Sequence, residues 1–222
     1  MGKIANVIDA RKEAATRVAE EAAEVVFSGG LVIFPTDTVY GIGCDPYKPA
    51  AVARIFSTKR RGSKALSLHL GSVGEFLEYA KNNPMALLAA KKLMPGAVTL
   101  IIERPSFIRE DVTAGLATLG FRVPDDPLCA AILERCGPLA ATSANISGEP
   151  AFEGEGPTEK LPDADLLVLN GPTRLRAEST VVDLSGTHPV LLREGVVPLA
   201  RLSEVLEPFG PVVRPETKTQ TT

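Results

Sequence analysis

Leu31-Val32-Ile33-Phe34-Pro35-Thr36-Asp37-Thr38-Val39-Tyr40-Gly41-Ile42-Gly43 is the stretch from which the fold is read. Its first four residues form an apolar run of strand length, and Pro35, with no N–H to give to a ladder, ends it. Thr36 to Gly43 then reads as a polar, Gly-punctuated loop. A buried strand that feeds a polar loop is where α/β proteins place ligands. The same loop reads equally as a connector whose Thr and Asp side chains make local turn bonds. Upstream, Ala15, Val18, Ala19, Ala22, Val25 and Val26 fall near helical spacing. They predict one amphipathic helix over Asp9 to Ser28, with Asp9 as N-cap and Gly29-Gly30 as the stop.

Downstream, Pro49 to Ser57 reads as a helix with Pro at its start. Leu66 to Leu70 reads as a strand, followed by helices near Val73 to Ala80 and Pro84 to Leu93. Val98 to Ile102 and Leu119 to Val123 read as strands, Pro127 to Arg135 as a helix, and Leu139 to Ala141 as a short apolar run opening onto Thr142-Ser143-Ala144-Asn145. Glu149 to Pro162, rich in Pro, Gly and Glu, is expected to be a mobile loop. Strands over Leu166 to Leu169, Thr180 to Leu184 and Val190 to Arg193, then a helical turn at Leu202 to Leu206, close the pattern. Strands and helices alternate early and strands crowd the end, which predicts a single α/β domain on a mixed, twisted sheet. That domain is expected over 1–208, with 209–222 a disordered tail.

The chain has 222 residues, enough for one substantial core or two small ones. Its 24 Lys and Arg against 27 Asp and Glu argue against a generally basic nucleic-acid coat protein, though Lys59, Arg60, Arg61 and Lys64 make a local basic patch. Three widely spaced cysteines without a CxxC indicate neither a zinc knuckle nor a disulfide framework, and suggest reduced structural thiols. No apolar run approaches the roughly 20 residues of a membrane span, and no signal peptide opens the chain, so a soluble cytoplasmic protein with no membrane association is expected.

Walker, Rossmann, GxSxG, HExxH and kinase signatures are all absent. Other segments carry the chemistry. In an extended backbone Lys59 and Arg61 would face one side together, as would Ser143 and Asn145. Two cations and a pair of small hydrogen-bonding groups suit a polyphosphate with a polar body attached. Each also has a plain reading, as a solvated helix end and a self-capped turn. His69, inside an apolar strand, reads first as a core histidine. Arg122 needs either an ion pair, with Asp125 or Asp126 as candidates, or a site that wants a cation. Arg193 raises the same choice, with Glu194 as the local partner. Ser179-Thr180 enters a strand, where hydroxyls are common without function.

In this order the segments resemble the YrdC-like family (YrdC/YciO/Sua) of threonylcarbamoyl-AMP synthases, over about Glu24 to Val197. The loop Pro35 to Gly43 is similar to the family's first loop, Lys59-Arg60-Arg61 to its KxR, and Ser143-Ala144-Asn145 to its SxN. Pro95 to Leu100, Phe121-Arg122-Val123-Pro124, Ser179 to Asp183 and Leu192-Arg193-Glu194-Gly195 match too. The resemblance implies a YrdC-like fold, with a twisted sheet lining a large, positively charged concave cavity. It implies a nucleotidyltransferase that converts L-threonine, bicarbonate and ATP to threonylcarbamoyl-AMP and pyrophosphate, for the threonylcarbamoyladenosine (t6A) modification of tRNA. On matched positions, Lys59, Arg61, Thr118, Ser143, Asn145 and Arg193 would hold ATP, with Lys59 and Arg61 the catalytic cations. Thr36, His69, Arg122, the Ala141 backbone and Ser179 would hold threonine. Mg²⁺ would ride on the phosphates of ATP, with no protein metal site. tRNA and the downstream threonylcarbamoyl transferase are the candidate macromolecular partners.

The implied chemistry joins two anions, a carbamate and the α-phosphate, so fixed cations and alignment should supply most of the rate without a side-chain nucleophile. Loss of Lys59 or Arg61 is accordingly expected to weaken ATP binding without unfolding the protein. Gly62 stands where the family often has Pro, and Asp126 where His is frequent. The short remainder after the last element reads as the stand-alone form. The competing reading is a non-catalysing YciO-type RNA- or nucleotide-binding paralogue. A carbamoyl-adenylate module of hydrogenase maturation is disfavoured by the missing zinc-finger cysteines.

Overall fold

The structure is a computed structural model and describes residues 3–60 and 64–215. Arg61 and Gly62, and the 216–222 part of the expected tail, lie outside the described residues. Among the described residues ten strands form one sheet, in the order β1-β8-β2-β3-β7-β4-β6-β5-β9-β10. They are β1 (Ile4–Asp9), β2 (Val32–Phe34), β3 (Gly41–Cys44), β4 (Ser67–His69), β5 (Val98–Glu103), β6 (Thr118–Arg122), β7 (Leu139–Ser143), β8 (Ala164–Leu169), β9 (Thr180–Asp183) and β10 (Val190–Arg193). The sheet is mixed: β2, β3, β7 and β4 run antiparallel in turn, while β4 with β6 and β5 with β9 are parallel pairs.

The helices are α1 (Ala15–Phe27), α2 (Pro49–Thr58), α3 (Val73–Tyr79), α4 (Pro84–Leu93), α5 (Pro127–Cys136) and α6 (Leu199–Leu206). Proline at the first turn, where the missing N–H costs nothing, opens α2, α4 and α5. Asn83 and Asp126 cap α4 and α5 by accepting the backbone N–H of Ala86 and Cys129. Asp126 therefore has a local structural task here.

Alternation along the strands splits the core in two. Ile33, Leu167 and Ala140 point into one cluster, with Leu68, Leu100, Phe121 and Val182 and side chains of α2, α3, α4 and α6. Val32, Phe34, Leu166, Leu139 and Ala141 point the other way and pack under α1 and α5. Thus α1 and α5 cover one sheet face over β1, β8, β2 and β7. That face continues across β4, β6, β5 and β9 beyond the part they cover.

Two elements differ from the sequence expectation. Asp9 ends a strand and caps no helix: its carboxylate takes Arg11 Nε at 2.7 Å, and α1 starts after Ala14 with no side-chain cap. β1 lies at the sheet edge in parallel pairing with β8, about 160 residues away, a partner that local periodicity cannot reveal. Gly41 to Gly43, expected as loop, form with Cys44 a strand between β2 and β7. Its glycines leave room for Phe34, whose Cε1 would stand 3.0 Å from a Cβ at Gly43.

The segment 149–162 is tied down, contrary to the expected mobile loop. Phe152 O accepts Tyr40 N at 2.8 Å, Glu153 O accepts Thr173 N at 2.8 Å, and Leu161 is buried behind a 3-10 turn (Thr158–Lys160). Gly154 has φ +98°, and a Cβ there would lie 2.0 Å from Gly171 O. Beyond α6, Val213 bridges Val190 and Arg214 meets Glu194 at 2.5 Å.

Gly154→Ala combines left-handed strain with a backbone clash and is expected to cost about 3 kcal/mol or more. Thermal denaturation checks this, and an unshifted midpoint would show that the 149–162 segment is not anchored there.

Candidate active site

The uncovered part of the sheet face forms the floor of a cavity of about 540 Å³. Ser67 and His69 of β4, Gly120 and Arg122 of β6, and Thr99 and Ile101 of β5 point into it at alternate positions. The strand register places them together, with His69 opposite Arg122 and Ser67 opposite Gly120. Apart from Ile101 and Val181, strand positions that a covering helix would require to be apolar are here small, polar or cationic. That alternation was present in the sequence at Ser67-Leu68-His69 and Gly120-Phe121-Arg122, and could have drawn Ser67 and Thr99 into the expected site.

The loop after β2 forms one wall, and its hydroxyls fix its own shape. Thr36 Oγ1 donates to Val39 O at 2.7 Å and accepts from Thr38 N at 3.1 Å. Thr38 O accepts Thr173 Oγ1 at 2.6 Å, and Tyr40 O accepts Ala144 N at 2.7 Å. Asp37 turns away from the loop. Its Oδ1 accepts Arg122 Nη2 at 2.5 Å, with the two side chains 0% and 6% exposed. Arg122 is therefore paired with neither Asp125 nor Asp126: Asp125 takes Arg174 and Asp126 caps α5. Burial lowers the Arg122 pKa against the pull of Asp37. Its Nη1 makes no hydrogen bond to the described residues, and the residue lines the cavity.

The opposite wall joins the end of α2 to the end of β7. Lys59 is the C-cap of α2 with φ −82° and ψ −7°, and Arg60 follows at φ +50°. The backbone at these two residues is a helix terminus and is not extended. Nor are Ser143 and Asn145 alternate residues of one strand. β7 ends at Ser143, Asn145 N bonds back to Ser143 O at 3.1 Å, and the turn brings Ser143 Oγ to Asn145 Oδ1 at 2.6 Å. Lys59 ties this turn: its Nζ donates to Ser143 O at 2.5 Å, Asn145 O at 2.5 Å and Asn145 Oδ1 at 3.2 Å. The residue is 1% exposed, so its charge acts at the cavity from within the wall. Ser147 N returns a bond to Lys59 O at 3.0 Å, while the Ser147 hydroxyl, also on the cavity, is buried without a partner.

A third side is built on β9 and β10. Arg193 Nε donates to Ser179 O at 3.0 Å, Nη2 to Ser179 Oγ at 3.2 Å and Nη1 to Glu178 at 2.9 Å. Its partner is thus Glu178, since Glu194 is taken by Arg214 and Leu199 N. Ser179 Oγ also lies 3.0 Å from Thr99 Oγ1.

Of the residues singled out from sequence, Lys59, Ser143, Asn145, Arg193, Thr36, His69, Arg122, Ala141 and Ser179 all line this cavity. The Ala141 carbonyl already takes Ser67 Oγ at 3.3 Å. Thr118 shares the face of Gly120 but sits one step further along β6, opposite Glu103, and does not line the cavity. Asp37, Ser147 and Glu178 are additions that only the fold supplies.

A second hollow of about 1070 Å³ lies at the far end of β5, with Ile102, of the opposite sheet face, in its lining. Its ionisable lining is Glu75, Glu78 and Glu103 against Lys81 and Arg104, and Arg104 is bound to Glu110. An anionic ligand favours the first cavity, where the cations converge. The cysteines are free and buried, and burial pushes the Cys44 and Cys136 thiols up to about 12, which keeps them protonated.

Burial, helped by the neighbouring Arg122 cation, lowers the His69 pKa from 6.5 to about 3, so the ring is neutral. Its Nδ1 is buried with no partner, and its ring meets Phe34 edge-on at 6.1 Å. Between those two pH values the unfolded chain binds a proton that the folded one refuses. Stability is therefore lost as pH falls below about 6.5, by up to about 1.4 kcal/mol per unit. Denaturation midpoints at pH 7 and 5 should fall further in the wild type than in His69→Gln, and equal losses would reject the neutral buried ring. Lys59→Met takes the ammonium donor from the Asn145 carbonyl and the charge-assisted bond from Ser143 O, and denaturant unfolding is expected to show a loss of about 3 kcal/mol. An unchanged unfolding free energy would mean that the three bonds contribute nothing.

Comparison with known proteins places the chain among relatives. The family model Sua5/yciO/yrdC, described as telomere recombination, matches residues 24–195. A threonylcarbamoyl-AMP synthase of Pyrococcus abyssi is 36% identical over 195 residues, covering 83% of this chain and 56% of its own length. One from Bacillus subtilis is 36% identical over 196 residues, covering 85% and 56%. The crystal structure of P. abyssi Sua5 complexed with L-threonine superposes with a TM-score of 0.79 at 32% identity, over 96% of this chain and 62% of that one. The chain spans a little over half the length of these two curated relatives.

Proposed function

The chain belongs to the Sua5/YciO/YrdC family, and on that premise we propose that it condenses L-threonine, bicarbonate and ATP to threonylcarbamoyl-AMP and pyrophosphate, as a nucleotidyltransferase. The observation that carries the reading is the convergence of Lys59, Arg122 and Arg193 with small hydroxyl and amide side chains around one uncovered stretch of sheet.

The reaction needs two anions held against each other. The threonine amine adds to the carbon supplied by bicarbonate, with loss of water, and gives a carbamate. A carbamate oxygen then attacks the α-phosphorus of ATP, and the bond to the bridging oxygen of pyrophosphate breaks. No protein nucleophile takes part, so the chain's work is charge and alignment. The free Nη1 of Arg122 would take a carboxylate oxygen of threonine. Thr36, the neutral His69, the Ala141 backbone and Ser179 would surround its amine and hydroxyl. Arg193 on one side, and Lys59 behind Ser143 and Asn145 on the other, would bracket the polyphosphate, with Arg61 and Thr118 as further contacts. Magnesium would arrive bound to the phosphates, where it neutralises their charge. Among the described residues no three His, Cys, Asp or Glu side chains group to hold a metal, and no step here is routed through the ion.

The adenylate would supply t6A modification of tRNA, with tRNA or a downstream transferase as partner. Among the described residues no helix is long and apolar enough to cross a membrane, and we place the activity in the cytoplasm.

Pyrophosphate release from ATP, measured with each amino acid and with or without bicarbonate, tests the reading. Release that requires both threonine and bicarbonate is expected. Release with neither, or nucleotide binding without turnover as in a non-catalysing YciO-type paralogue, would sink it.

A further inference from the structure

We propose that Asp37 is a positioning residue that reserves Arg122 for the amino-acid carboxylate and keeps it from the polyphosphate. The proposal rests on the synthase reading above. Asp37 lies behind the cavity wall rather than on it: its side chain is 0% exposed and it is absent from the cavity lining. Among the described residues it is the one acidic side chain in the buried set. Burying a carboxylate is costly, and the loop that carries it does not need it. Thr36, Thr38 and Tyr40 already hold the loop backbone, and the Asp37 carbonyl accepts Leu175 N at 2.9 Å. Its side chain is given to Arg122 alone, through Oδ1, while Oδ2 is buried with no partner.

The single bond matters. A carboxylate gripping Arg122 by two nitrogens would leave the guanidinium little to offer. With Nη2 bound to Asp37 at 2.5 Å and Nε near Gly96 O at 3.4 Å, the guanidinium plane is fixed and Nη1 remains for a ligand oxygen. Arg193 lines the same cavity as Arg122 and acts on it weakly as a like charge. Two bare cations on one cavity would both draw a polyphosphate. Partial neutralisation of Arg122 by Asp37 weakens its long-range pull on a polyanion and leaves the directed hydrogen bond that a singly charged carboxylate can use. The polyphosphate is then left to Arg193 and the Lys59 wall.

Asp37→Asn keeps the shape and removes the charge. In the pyrophosphate-release assay the KM for threonine should rise about tenfold or more, with the KM for ATP within twofold. ATP in excess should become a competitive inhibitor against threonine in the variant and not in the wild type. A role limited to holding the fold would lower the midpoint and the active fraction with both KM values unchanged, and that result overturns the proposal. So does an equal rise in both KM values without competition. A wild-type protein that shows no threonine dependence overturns the synthase reading, and this proposal with it. Should Asp37→Asn not fold, the wild type decides the matter by NMR after ¹⁵N-arginine labelling. The Arg122 guanidinium, identified by its loss in Arg122→Lys, should give separate Nη resonances before threonine is added, and a single averaged resonance overturns the proposal.

Discussion

The Lys59 ammonium, spent on the turn after β7, is the interaction on which the site depends. An ammonium has three N–H donors, and here they go to Ser143 O, Asn145 O and Asn145 Oδ1. Burial of that charge is tolerable because each donor is matched and each bond is charge-assisted. One bridge thus performs three tasks. It satisfies the Asn145 carbonyl just past the end of β7, fastens the end of α2 to the centre of the sheet, and fixes the Ser143 hydroxyl against Asn145 at 2.6 Å. The positive charge arrives at the cavity already oriented, and little conformational freedom remains to be lost when an anion binds.

The second constraint is the extent of helix cover. α1 and α5 pack on each other and on Val32, Phe34, Leu166 and Leu139, and cover their face only at the β1, β8, β2 and β7 end of the sheet. The other face is covered through β5, β6 and β9 by α3, α4 and α6. The uncovered stretch has no apolar partner, so its side chains can be Ser67, His69, Thr99 and Arg122 without loss of core. Backbone groups there are satisfied by the ladder, which leaves side chains free to serve a ligand. The cavity is thus a consequence of incomplete layering, and needs no separate domain to create it.

Much of this was legible locally. The helices are legible locally, α1 by the spacing of its apolar face and α2, α4 and α5 by proline at the first turn, and most strands by short apolar runs. The readings that failed share one cause. Asp9 has the side chain of a good N-cap, yet β1 exists because β8 offers it a parallel partner far along the chain. Gly41 and Gly43 look like loop residues, yet they form a strand because Phe34 needs the space above them. Arg122 and Arg193 each have acidic neighbours in sequence, yet pair with Asp37 and Glu178, which the fold brings closer.

By itself, the sequence determined the types of elements, the family to which the ordered motifs point, and nine of the cavity's residues, because spacing, capping and turn chemistry are local and motif order survives in one dimension. Only the tertiary structure decided which charges meet. It turned Lys59 from a surface cation into the tie of the SxN turn, and gave Arg122 a buried carboxylate from a loop 85 residues away. It also showed that 149–162 is anchored. Ion pairing depends on separations of a few ångströms between groups far apart in the chain, and only the strand register and the packing of helices on the sheet set those separations.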